Sequence, residues 1–171
     1  MAAVIYSSLM GGYFSGLPSI PDQGVPAICF TDDPGLIAHG WDIRMVSRPE
    51  KTPRLRAKYF KLNPHECLPE YDVSIWLDAG WAVQSPNFAH ECMSFLSPLD
   101  SASWVAYPHR WHKTLAQELA AYVHPKMAGL PCKQQMEAYW DGGLPADAPV
   151  LECTSILRRH HDPCVVEVDR A

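Results

Sequence analysis

A chain of 171 residues, 47% hydrophobic and 19% charged, is long enough to bury a real core and is expected to form one domain over 1–171. Its formal net charge of −5 excludes a protein that holds nucleic acid non-specifically by neutralising phosphates, although it leaves room for a local basic pocket. No stretch approaches the roughly 20 apolar residues that span a bilayer. The amino-terminal MAAVIYSSLMGGYF lacks a positive leader and runs straight into an expected strand, so no signal peptide and a cytoplasmic location are expected. The six cysteines form no C-x-x-C pair, which points to reduced thiols rather than disulfides or a structural zinc.

Residues 3–7 (AVIYS) read as a first buried strand feeding a loop with Gly11, Gly12 and Gly16. Residues 25–31 (VPAICFT) form a second strand, stopped by Asp32, Asp33, Pro34 and Gly35. Residues 41–46 (WDIRMV) alternate apolar and polar, as in a more exposed strand. Thr52-Pro53 supplies an N-cap and a first-turn proline, opening a helix to about Asn63, before Pro64. Its Arg54, Lys58 and Lys61 share one face at i, i+4 and i+7; with Arg56 they suit either a solvated face or an anion site.

The centre of the chain is residues 73–77 (VSIWL), apolar at nearly every position, as a central strand covered on both faces must be. It ends in Asp78-Ala79-Gly80, a carboxylate followed by two residues too small to crowd a ligand; Asp78 suits a turn cap, a cation or a sugar hydroxyl. Ser85-Pro86 announces a short helix over 87–95, and 103–107 (SWVAY) another strand, followed by Pro108, His109, Arg110, Trp111 and His112. A metal shared by His109 and His112 would need a helix, which Pro108 argues against. Thr114-x-x-Gln117 has capping-box spacing for a helix to about Val123, with Glu118 in its first turn. A helix over 133–140 stops at Gly142-Gly143, and 150–157 (VLECTSIL) is a last strand leading to Arg158 and His160.

Alternating strands and helices predict an α/β fold, a mixed, largely parallel sheet with helices on both faces. Asp32/Asp33, Asp78, His109/Arg110 and Arg158/His160 all follow strands. Parallel strands would gather them along one sheet edge, where α/β proteins bind small molecules.

With these residues in order, the chain resembles a glycosyltransferase-like domain family that includes a plant mucilage galacturonosyltransferase and a plant alkaline ceramidase. The resemblance rests on CFTDD at 29–33, the strand led by Trp41, Arg56-x4-Lys61-x2-Pro64-His65, SIWLDAG at 74–80, and Pro108-His109-Arg110 with Glu118. It continues through Gln135, Tyr139, Gly143 and Pro145 to a closing strand ending at Arg158. It implies a Rossmann-like fold of the GT-A type and an enzyme that moves a sugar from a nucleotide-sugar donor to a carbohydrate or other hydroxyl acceptor. Asp78 would take the first position of the DxD motif, where carboxylates hold a divalent metal (Mn2+ or Mg2+) on the donor diphosphate. Asp32 and Asp33 would meet the nucleoside, and Arg56, Lys61 and His65 the phosphates. His109 and Glu118 would serve as catalytic acid–base groups, with Arg110, Gln135 and Arg158 on the acceptor side; Tyr139 suits core packing better.

Two departures shape the expectation. Gly80 stands where the second Asp of the motif would be. The family also continues to an Arg-Asp-Gln motif beyond the length of this chain, so a fragment or a short member is expected. A sugar- or nucleotide-binding module that lost turnover is therefore the alternative. An amide or ester hydrolase finds less support, since neither G-x-S-x-G nor H-E-x-x-H occurs.

Overall fold

The computed structural model describes residues 1–96, 102–121, 131–145 and 147–170. A six-stranded sheet runs in the order β3-β2-β1-β4-β6-β5. Its strands are β1 (Ala3–Leu9), β2 (Ala27–Thr31), β3 (Asp42–Met45), β4 (Val73–Leu77), β5 (Trp104–Pro108) and β6 (Leu151–Arg158). The helices are α1 (Pro53–Leu62), α2 (Pro64–Cys67), α3 (Phe88–Ser94), α4 (Leu115–Ala121), α5 (Cys132–Asp141) and α6 (Pro163–Arg170). The expected α/β class and mostly parallel sheet are what the structure has. The chain forms two compact units, Met1–Val105 with Thr154–Ala171, and Ala106–Cys153. Among the described residues no helix is long and apolar enough to cross a membrane.

In the first unit, β1 pairs in parallel with β2 and β4, and β2 with β3. Side chains of a strand alternate between faces, and the core follows that alternation. Ala3, Ile5 and Leu9 of β1 join Val73, Ile75 and Leu77 of β4 in one apolar cluster, with Ala89 and Cys92 of α3. Val4 and Tyr6 join Ile28, Phe30, Trp76 and Ile156 in the other, with Phe60 of α1 and Leu68. Phe60 stacks on Phe30 with ring centroids 4.5 Å apart. Both faces are thus covered, which is why the central strands carry apolar residues at nearly every position.

Local signals set several helix starts. Thr52 accepts the Leu55 amide at 3.3 Å, with Pro53 in the first turn of α1. The Ser85-Pro86 signal acts one step later than expected: Ser85 Oγ accepts the Asn87 amide at 3.1 Å, and α3 begins at Phe88. α6 was not expected, although Asp162 Oδ1 accepts the Cys164 amide at 2.9 Å ahead of it. Asp162-Pro163 repeats the cap-plus-proline signature of α1.

β6 runs antiparallel to β4, with Ser74 opposite Arg158 and Leu77 opposite Ser155. This corrects the expected gathering of all strand exits. The carboxyl end of β6 lies beside the beginning of β4, so Arg158 and His160 leave the sheet at the edge opposite Asp78.

The second unit holds α4 and α5. Thr114 bridges Pro149, and Gln117 closes the capping pattern by donating its amide to Thr114 Oγ1 at 3.3 Å and accepting the Lys113 amide at 2.7 Å. The expected end of this helix near Val123 lies outside the described residues. In α5, Met136 is the buried residue. Tyr139 is 44% exposed, against the expectation of a core position.

Candidate functional site

The sheet order makes β1 the turning point of the first unit. The chain moves outward from β1 to β2 and β3, then returns to place β4 on the other side of β1. At such a switch point the loops leaving two neighbouring parallel strands diverge and open a crevice. Here these loops begin with Gly11-Gly12 and Asp78-Ala79-Gly80.

Gly11 has φ +64°, and a Cβ on it would lie 2.4 Å from Pro53 Cγ. Only glycine fits that close approach of the loop to the first turn of α1. Its amide donates to Asp32 Oδ1 at 2.7 Å, and Arg56 Nη2 donates to Asp32 Oδ2 at 2.9 Å. The loop after β1, the exit of β2 and α1 are therefore tied through one carboxylate. Asp33, next in sequence, accepts the Gly35 amide at 2.8 Å and shapes the turn.

Asp78 is 40% exposed in its side chain, and its Oδ1 accepts from two donors, Lys61 Nζ at 2.9 Å and Trp76 Nε1 at 2.7 Å. Its own amide donates to Thr154 O at 2.8 Å. Trp76 packs edge-on against Tyr6 at 5.1 Å, and Lys61 Nζ stands 5.3 Å from the Trp76 ring centre. The Asp78 carboxylate is thereby fixed by the last strand residue of the same face and by the last turn of α1. Sequence spacing hid this pairing: Lys61 is 17 residues away, and a helical lysine reaches back along its helix toward the sheet edge.

Two expected site residues lie elsewhere. Arg158 is fully buried; its Nη1 donates to Asp169 Oδ1 and Oδ2 at 2.9 and 2.8 Å, and its Nη2 to Lys61 O at 2.8 Å and to the Tyr6 hydroxyl. Both Nη atoms are engaged inside the fold, not on an acceptor, and the buried Nε has no partner. Burial raises the Asp169 carboxyl pKa, opposed by the Arg158 charge. His65, expected on the phosphates, has a side chain only 10% exposed and no hydrogen bond to either ring nitrogen. Its Nε2 lies 3.6 Å from the neighbouring Glu66 Oε1, and the ring is buried rather than presented to a ligand.

In the second unit, His109, His112 and Glu118 bring one ligand atom each within 4.8 Å of one another. His109 and His112 stack nearly parallel, at 8° and 4.9 Å. His112 Nδ1 bonds to Glu118 Oε2, and His109 Nε2 lies 3.6 Å from the same oxygen. A metal would use the His109 Nε2 lone pair, which requires the proton on Nδ1. His109 Nδ1, however, accepts the Trp111 and His112 amides at 3.3 and 3.0 Å. A ligating histidine normally donates from its second nitrogen, so the trio fits a hydrogen-bonded His112–Glu118 pair with His109 stacked beside it better than a metal centre. His112, weighed from the sequence only as a metal ligand shared with His109, is here the partner of Glu118. Glu118→Gln is expected to cost about 1 kcal/mol of stability by replacing a charge-assisted bond with a neutral one. In 15N spectra it is expected to move the His112 ring nitrogens more than those of His109, which lies farther from the carboxylate.

Arg110 pairs with Glu152, Nε and Nη2 each at 3.2 Å, and lies 5.0 Å from the ring centre of Trp111, itself 71% exposed. Gln135 Nε2 donates to the Tyr139 hydroxyl along α5.

Together the strand order, the two-faced core and the switch-point crevice define a Rossmann-like α/β fold of the kind found in glycosyltransferases. Among solved structures the chain is similar to the apo form of WbbM, a bifunctional glycosyltransferase, with a TM-score of 0.54 and 11% identity over 99% of this chain. The chain spans about a third of that protein, 34% of its length, and at this identity the likeness is one of fold. No family model matches the chain, and no curated protein matches it.

Proposed function

We propose that the protein is a glycosyltransferase that binds a nucleotide sugar in the crevice at the carboxyl ends of β1 and β4. The observation that carries this reading is the position of Asp78: a half-exposed carboxylate at the switch point, held by Lys61 and Trp76. In this reading one oxygen stays with Lys61 and Trp76 while the other accepts a hydroxyl of the donor sugar. Lys61 and Arg56 face the diphosphate, and Asp32 and Asp33 the nucleoside. Within the second unit, taken by itself, His109 and Glu118 are the candidate acid–base groups, with Arg110 and Gln135 as further polar side chains. The leaving nucleoside diphosphate gains negative charge as the glycosidic bond breaks, so fixed cations near it favour the transition state.

A binding module without turnover is the second reading, favoured by Gly80 where a second carboxylate would stand. One experiment addresses both. UDP-, GDP-, CMP- and dTDP-sugars are screened by thermal unfolding, where a ligand at 100 times its Kd adds about 2.7 kcal/mol. A stabilising donor that is also turned over supports the transferase; stabilisation without hydrolysis or transfer supports the module; no stabilisation by any donor rejects both. Asp78→Ala is expected to abolish turnover while leaving the protein folded, and retained turnover would reject Asp78 as the centre of the site.

A further inference from the structure

The divalent metal implied by the resemblance needs ligands at Asp78, and the residues present do not fit it. Oδ1 of Asp78 is taken by the Lys61 ammonium at 2.9 Å and the Trp76 indole at 2.7 Å. A Cβ added at Gly80 would lie 3.5 Å from Phe14 Cζ, so this position faces the Phe14 ring edge and supplies no carboxylate. The nearest strand-exit carboxylates are engaged as well: Asp32 with Arg56 and the Gly11 amide, Asp33 with the Gly35 amide. A hard divalent cation wants several oxygens around it. At this site it would have one carboxylate oxygen and would face an ammonium bound to the other.

We infer that this crevice binds the diphosphate of its nucleotide ligand without a divalent metal, the Lys61 ammonium standing where a metal-dependent site would hold the ion. The inference rests on the donor-site reading above and specifies its cofactor requirement. The Lys61 side chain is 17% exposed and held in place by the carboxylate, and an ammonium has three donors, of which Asp78 takes one. The remaining two are available to phosphate oxygens. α1 adds Arg54, Arg56 and Lys58 and carries no acidic residue. Of the cations on this helix, Arg56 is paired with Asp32 and Lys61 with Asp78, so two cations stand at the strand-exit carboxylates.

The inference is tested by calorimetric binding of UDP and GDP to the whole chain, first with EDTA and then with Mn2+ or Mg2+. The expected result is an affinity in EDTA equal to that with metal within about twofold. Lys61→Met is expected to weaken binding by about ten- to a hundredfold, the loss of a charged hydrogen bond, and Lys61→Arg to keep most of it. Binding that appears only with Mn2+ or Mg2+ would overturn the inference and leave the nucleotide-sugar reading standing. Unchanged binding by a folded Lys61→Met variant would overturn the role of Lys61. Absence of binding in both conditions would reject the donor-site reading, and the inference with it. The metal comparison on the unaltered chain decides the matter even if Lys61→Met does not fold.

Discussion

Arg158→Met is expected to destabilise the protein by about 3–5 kcal/mol, a large part of the roughly 5–15 kcal/mol that holds a domain together. The cost comes from what is left behind. Arg158 is completely buried, and its partner Asp169 has a side chain only 4% exposed. Without the guanidinium, the carboxylate has no countercharge, and the Tyr6 hydroxyl and Lys61 carbonyl each lose a donor. Asp169 is already raised by burial with Arg158 present, and alone it would hold its proton in the folded state. The unfolded chain releases that proton near pH 4, so folded protein binds more protons and the stability of the variant falls as pH rises. Denaturant unfolding at acid and neutral pH is expected to show a larger loss at neutral pH. The double variant Arg158→Met/Asp169→Leu is expected to recover much of it, because a buried ion pair can be replaced by apolar groups at little cost. Equal stability of Arg158→Met and the unaltered protein would show the cluster to be of no consequence.

Acidification is expected to remove about 3 kcal/mol through a single side chain, His160. The residue is fully buried, its Nε2 3.2 Å from Leu68 O, and burial, with the neighbouring His161 charge, pulls its pKa down to about 4. In the unfolded chain the same imidazole takes up a proton near pH 6.5. Between those values the unfolded state binds more protons, so the contribution is fully present above about pH 6.5 and is lost as pH falls toward 4. His160→Gln keeps a donor for Leu68 and has no imidazole to charge. Its stability, followed by chemical unfolding from neutral pH down to about 4, is expected to fall less steeply than that of the unaltered protein. Identical slopes would mean that His160 is not held neutral in the fold.

Neither residue could be valued from the sequence, and the reason is strand direction. A chain that alternates strands and helices reads as parallel throughout, and nothing in VLECTSILRR announces that β6 reverses. The reversal carries Arg158 to the beginning of β4 and into the core, where a guanidinium must find partners, and it finds Tyr6, Lys61 and Asp169 at separations of 152, 97 and 11 residues. α6, which supplies Asp169, had a readable start at Asp162-Pro163, yet the pairing of Asp169 with Arg158 depended on the same reversal. His65 likewise looked like a phosphate ligand beside Lys61, yet the fold leaves its side chain only 10% exposed.

What the sequence determined by itself was local: VSIWL as a strand covered on both faces, Asp78 at its exit, Thr52-Pro53 as the start of a basic helix, and Thr114-x-x-Gln117 as the start of another. These follow from side-chain periodicity and from backbone groups that neighbouring side chains satisfy. The tertiary structure alone decided which charges meet. Lys61 reaches Asp78, Arg56 reaches Asp32, and His112 rather than solvent takes Glu118. Such pairings depend on where helices land on the sheet, through burial spread over many residues, and no short spacing in the chain encodes them.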